Sequence, residues 1–225
     1  MIRSRYAAAA AVVLAAACLS VPPVAAQTVP SGRVPADTVT PFSLPGVPTA
    51  AVARKELAAL KVKTYKDDGS YQRGKFGAGW AKVGDCTTRE LVLKRDKHRG
   101  TFAKCTVTGG TWISAYDGLV LDAPGKLDID HLVPLKDAWF SGAKGWTDAK
   151  RLQFANDMAR PQLLAVSAQS NRSKGDRAPE EWMPPRAAYA CTYVKAWTRV
   201  KTYYKLTITK EEKSKLAKEL KAPCK

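Results

Sequence analysis

Between residues 186 and 204 apolar side chains recur at spacings of three and four, so that Ala190, Tyr193, Val194, Trp197, Val200 and Tyr204 fall on one stripe of a helix. Lys195, Arg199, Lys201 and Lys205 then form its solvated face. A further helix is announced by the capping box Thr209-Lys-Glu-Glu212, with Leu216 and Leu220 turned inward. Shorter helices are predicted over 51–60, where Val52, Leu57 and Leu60 make the apolar stripe, and over 88–95, where Leu91, Val92 and Leu93 face partly inward. Two more are predicted over 135–140 and over 148–158, the latter behind Thr147 as its N-cap. Residues 101–108 and 111–116, joined by Gly109-Gly110, carry the strongest hairpin signal. Leu127 to Leu135 is a third strand candidate that Pro134 would end, and residues 162–166 form a fourth.

This mixture predicts an α+β class with a single small domain over 51–225 and no internal repeat. Residues 27–50 hold Pro30, Pro35, Pro41, Pro45 and Pro48 among serine, threonine and glycine, a composition for an extended, disordered linker. Ahead of it, Arg3 and Arg5 precede an apolar stretch that ends near Leu19, and Val24-Ala-Ala26 offers small residues for cleavage. Residues 1–26 are therefore expected to be a signal peptide and the protein to be secreted. A lipobox ending at Cys18 is the rival reading, disfavoured by Ala15 where leucine is usual. No later stretch is apolar enough to span a membrane, and a monomer is expected.

Charge narrows the partners. The formal net charge is +17, and loss of Arg3 and Arg5 with the leader lowers it to +15. Polyanions follow as partners: nucleic acid first, then anionic cell-wall polymer or lipid. Cys86, Cys105, Cys191 and Cys224 remain after the leader, an even count that reads as disulfides in an exported chain. Pairing Cys86 with Cys105 and Cys191 with Cys224 is favoured because each pair brackets one local unit.

Candidate chemistry centres on Asp128-Ile-Asp-His-Leu-Val-Pro134, an apolar strand interrupted by groups that are costly to bury without partners. Side chains alternate along a strand, so Asp128 and Asp130 share a face and His131 points to the other. That divides the labour: Asp130 as metal ligand, His131 at a water on the metal's edge, Asp128 as outer acceptor or additional ligand. About forty residues on, Asn171-Arg-Ser-Lys-Gly-Asp176 offers the Asn171 amide oxygen as a second ligand, with Arg172 and Lys174 within a turn to hold phosphate oxygens. Oxygen ligands favour Mg²⁺ or Mn²⁺, and the neighbouring histidine keeps Zn²⁺ open. Phosphodiester cleavage needs an activated water, a neutralised leaving oxygen and an offset for the developing charge; His131 serves the first, the metal with Lys174 or an arginine the others. Arg73 and Arg89 each lie in a turn from which an arginine can clamp a phosphate or pair with an acidic residue.

Together the two segments resemble the HNH, or ββα-metal, nucleases. The likeness is nearer still to the secreted bacterial HNH family grouped as domain of unknown function 1524. It extends over Tyr71-Gln-Arg73, Phe76-Gly77, Trp80, Cys86-Thr-Thr-Arg89, Ala138-Trp139, Ser141-Gly-Ala143, Trp146, Arg151, Phe154-Ala-Asn-Asp157 and Trp182-Met-Pro-Pro185. The resemblance implies a ββα-metal core with additional helices, Asp130 and Asn171 as metal ligands and His131 as general base. It sets Lys174 and Asp176 near the metal helix. Many HNH enzymes have histidine where this chain has Asp130, a departure that again favours Mg²⁺ or Mn²⁺. The stretch 136–161 is longer than a minimal ββα unit requires, and Trp139 and Trp146 within it serve either substrate contact or packing.

The function so implied is a secreted, metal-dependent endonuclease acting on DNA, with RNA as a further substrate, and with little sequence specificity because no base-reading motif is present. The alternative is a non-catalytic basic module that binds extracellular DNA or anionic cell-wall polymer. Gly-x-Ser-x-Gly and His-Glu-x-x-His are both missing and only two histidines occur, which argues against serine and zinc hydrolases. The other histidine, His98, reads as a solvated loop residue.

Overall fold

The computed structural model describes residues 43–221 and Cys224. The expected leader and most of the proline-rich stretch lie outside the described residues. Residues 43–49 belong to that stretch, yet Leu44 is buried in the main core, so the packed unit begins before residue 50. Among the described residues no helix is long and apolar enough to cross a membrane.

In chain order the first helix, α1 (Ala50–Ala59), is capped by the Thr49 hydroxyl and buries Ala50, Ala53 and Leu57. Val52, expected on its apolar stripe, is exposed. Strands β1 (Lys82–Val83) and β2 (Cys86–Thr87) form a short antiparallel pair leading into α2 (Thr88–Asp96). That helix starts with a capping box in which the Thr87 backbone donates to Glu90 at 2.6 Å and the Glu90 backbone donates to the Thr87 hydroxyl at 3.3 Å.

The predicted hairpin over 101–116 does not form. Instead β3 (Lys97–Arg99) pairs antiparallel with β4 (Thr111–Ile113), which pairs in turn with β5 (Val120–Leu121). The staple between Cys86 and Cys105 ties the middle of 101–108 to β2, and only Ala103 and Thr106 bridge within that segment. Gly100 and Gly110 bring the backbones together there: a Cβ on Gly100 would lie 2.8 Å from the Gly110 Cα.

The centre of the molecule is β6 (Leu127–His131) and β7 (Leu163–Ser167), antiparallel and paired along their whole length, followed at once by α5 (Ala168–Lys174). Between the two strands the chain makes an excursion through α3 (Leu135–Phe140) and α4 (Asp148–Ala155), the latter capped by Thr147 as predicted. Every residue of β7 is buried because the strand pair separates two cores. Leu164 and Val166 face the main core with α1, α3, α6 and α7, while Leu163 and Ala165 face a smaller one with Val92, Leu93, Trp112, Leu127 and Ile129. Trp139 and Trp146 pack on Phe76, Phe154 and Tyr204, so the excursion uses them for its own packing.

The C-terminal part is α6 (Ala187–Tyr204) and α7 (Lys210–Glu219), tied by the second disulfide, Cys191 to Cys224. Tyr193, Val194, Trp197, Val200 and Tyr204 are buried as the periodicity predicts. Lys201 is not on a solvated face. It is fully buried and its ammonium lies 2.7 Å from Asp137 and 3.0 Å from Glu212, so one cation joins α3, α6 and α7. The class is α+β: one small domain with two disulfides.

Candidate active site

The register of the central strands fixes which side chains meet. Asp128 stands opposite Val166 and Asp130 opposite Leu164, on the face that α5 covers; His131 stands opposite Leu163, on the other face. The two halves of the candidate site therefore come from β6 and α5, and β7, paired with β6 and running straight into α5, sets their relative position.

Asp130 is almost wholly buried. Its Oδ1 accepts from the Lys174 ammonium at 2.9 Å, and its Oδ2 accepts from the Tyr116 hydroxyl at 2.5 Å. Lys174 also donates to the His131 carbonyl at 3.0 Å. Burial pushes the Asp130 carboxyl above its ordinary range, opposed by the Lys174 charge and by the hydrogen bonds from Tyr116 and Lys174. Burial, with the Asp130 charge beside it, also raises the Tyr116 hydroxyl well above the usual phenol value, which keeps it a donor.

His131 is held differently. Its Nε2 lies 2.9 Å from the Ala155 carbonyl at the end of α4, and its ring stacks on Trp80 with centroids 5.3 Å apart and planes 9° from parallel. A nitrogen that close to a carbonyl oxygen carries the proton, which leaves Nδ1 with its lone pair. Burial lowers the imidazole to about 3; the bond to Ala155 works against this, and Arg73 and Lys174 add to it. Burial therefore favours the neutral ring.

Asn171 donates through Nδ2 to Asp128 at 3.1 Å, which orients the amide and leaves its Oδ1 out of that bond. The helix carrying it is set by a hydroxyl network: Ser167 caps α5 through the Ser170 backbone at 3.1 Å, both serine hydroxyls donate to Asp117, and Ser114 accepts from the Ser167 backbone at 3.1 Å. Asp130, His131, Asn171, Arg73, Arg172 and Asp176 line one open cavity of about 200 Å³. Arg172 reaches back to Asp128 at 3.6 Å but is largely exposed.

The donor set suits a hard divalent cation. Asp130 and Asn171 bring oxygen ligands to one solvent-open cavity, and each Asp130 oxygen has a second lone pair beyond the donor it already accepts. Among the described residues no group of three histidine, cysteine or carboxylate side chains converges, so the two oxygen donors leave most of a cation's coordination to water or substrate.

Two expected residues are placed elsewhere in role. Lys174 is fully buried beneath Asp130, so it holds the carboxylate and does not reach a phosphate. Arg89 lies on α2 and donates to the carbonyls of Pro124 at 3.1 Å and Leu127 at 3.0 Å, fastening the start of β6 away from the cavity. Arg73, by contrast, lies exposed on the rim with His131. Sequence reasoning missed Tyr116, the clamp role of Lys174 and the Ala155 carbonyl. Tyr116 gives no local signal, since its partner is fourteen residues away across a turn.

Comparison with known proteins adds an independent finding. Residues 89–219 match the family described as GmrSD restriction endonucleases, C-terminal domain. An uncharacterized secreted protein of the fungus Arthroderma benhamiae is 44% identical over 190 residues, covering 83% of this chain and 90% of that protein. No solved structure matches the chain.

Proposed function

The chain belongs to the family of GmrSD restriction endonuclease C-terminal domains, and from that premise we propose that it is a secreted, metal-dependent endonuclease of the HNH type. It hydrolyses phosphodiester bonds of DNA, and of RNA where the strand fits, with little sequence specificity. The observation that carries this reading is the His131 imidazole: pinned through Nε2 to Ala155 and sharing a cavity with the oxygen donors Asp130 and Asn171.

In the mechanism, Arg73 and Arg172 hold the non-bridging phosphate oxygens at the rim. His131 Nδ1 takes the proton from the attacking water while the Ala155 carbonyl keeps the ring from rotating. The arriving phosphodiester brings negative charge beside the ring and raises its basicity above that of the free site. Asp130 and Asn171 would hold Mg²⁺ or Mn²⁺, which would supply Lewis acidity toward the leaving 3′ oxygen. Asp128 keeps the Asn171 amide turned so that its oxygen faces the ligand position. Export is supported by the secreted relative and by the two disulfides.

Plasmid and RNA digestion across Mg²⁺, Mn²⁺, Zn²⁺ and EDTA tests the reading. Cleavage is expected with Mg²⁺ or Mn²⁺, is lost in EDTA, and falls by about 10²–10⁴-fold in His131→Ala with an unchanged circular dichroism spectrum. Binding of DNA without turnover under every metal would return the protein to a basic polyanion-binding module.

A further inference from the structure

A second cavity, of about 260 Å³, opens beside the first and shares Arg73, His131 and Leu135 with it. Its other walls are Phe76, Trp80 and the small residues of the Gly77-Ala78-Gly79 loop. No carboxylate lines it, whereas the pocket on the other side of Asp176 is bordered by Asp67, Asp137, Glu180 and Glu181. The first cavity is polar and holds the candidate ligand oxygens; the second is mainly apolar and aromatic, its charged group being Arg73 on the shared wall. We propose that this second cavity receives the base of the nucleotide next to the scissile phosphate, so that the enzyme cleaves at an unstacked nucleotide and prefers single-stranded or locally unpaired substrate. The inference rests on the nuclease reading and names the substrate form for that same site.

The geometry follows from the repeat of a nucleic acid strand, in which a base hangs one sugar away from its phosphate. A phosphate gripped by Arg73, on the wall common to both cavities, puts its neighbouring base at the mouth of the apolar one. A base within a duplex is stacked between its neighbours and cannot enter; an unpaired base can, at far lower cost. Contacts to ring faces are available to all four bases alike, which agrees with weak sequence preference.

Gly74 provides the means of testing this. It borders the cavity, a Cβ there would meet no atom within 4 Å, and its backbone is in an ordinary conformation, so Gly74→Phe adds a ring at the cavity edge without strain. Ala78→Phe fills the same cavity from another wall, in case the first variant folds poorly. The assay maps cleavage of a labelled single-stranded oligonucleotide, its duplex, and a series carrying one abasic position moved along the strand. In the wild type the single strand is cut faster than the duplex, and an abasic residue next to the cut lowers kcat/KM about tenfold. In Gly74→Phe or Ala78→Phe, the intact strand is cut about tenfold more slowly and the abasic effect disappears. Cleavage that ignores abasic positions, or filled variants that keep the abasic effect, would overturn the base pocket while leaving the nuclease intact. No cleavage of any substrate with any metal overturns both.

Discussion

Tyr116 and Lys174 grip the two oxygens of Asp130 from different elements, and burial of all three means that water cannot stand in for either. Tyr116→Phe removes one donor to a buried carboxylate and should cost roughly 1.5–3 kcal/mol in denaturant unfolding. On the proposed ligand role of Asp130, losing this donor should also lower Mn²⁺ affinity, measured by electron paramagnetic resonance, about 10–100-fold, a loss that a purely structural hydroxyl would not cause. The two arginines of the sequence reading separate on the same logic. Arg73→Ala should raise KM and lower kcat with stability unchanged. Arg89→Ala leaves the Pro124 and Leu127 carbonyls without their donor, and should lower stability by about 1–3 kcal/mol while the kinetics of the folded fraction stay as they were.

At the scale of elements, the join of α3, α6 and α7 has one cation for two carboxylates. Burial raises Glu212 to about 7, Asp137 adds to this, and Lys201 opposes it. A folded-state value above the unfolded one means that folding takes up a proton. The stabilisation is complete below about pH 4.5 and is lost as pH rises through 7. Melting temperature should therefore fall between pH 5 and pH 8, by about 2–4 °C per kcal/mol for a chain of this size, and Glu212→Gln should flatten that slope. This network was hidden in the sequence, where Lys201 has the spacing of a surface lysine. Periodicity reveals which side faces a core and says nothing of what a polar residue on its border will meet. The elements with local signals were legible: Thr147 and Thr209 as caps, the stripe of α6, the polar interruption of β6 and both disulfides. Strands β3 and β5 were not. Lys97-His-Arg99 is polar throughout, and its pairing with β4 depends on the approach of Gly100 to Gly110, a contact no window of sequence displays. The ligand candidates Asp130 and Asn171 were legible as residue types, but the clamp on Asp130 and the Trp80 stack on His131 were not, since both arise from chain segments brought together only by the fold.

For the molecule as a whole, charge is the dominant property. An excess of +17 makes association with a polyanion largely a matter of counterion release. If roughly four phosphates are neutralised, binding to DNA weakens about a hundredfold between roughly 50 and 200 mM salt. A fluorescence titration at a series of salt concentrations measures that slope, and a flat response would show that the basic surface is not the contact. The family match over residues 89–219 agrees with the nuclease class read from β6 and α5, and the packed unit extends beyond that match to take in Arg73 and α1.

The helical excursion between β6 and β7 also makes the candidate site divisible. Asp130 and His131 precede it, Asn171 and Lys174 follow it, and Lys144 and Gly145 are exposed at its crest. A chain opened at that crest becomes two polypeptides, each holding half of the candidate residues. On the nuclease reading, cleavage is expected only when both pieces are present together, and plasmid digestion by each piece alone and by the pair measures it.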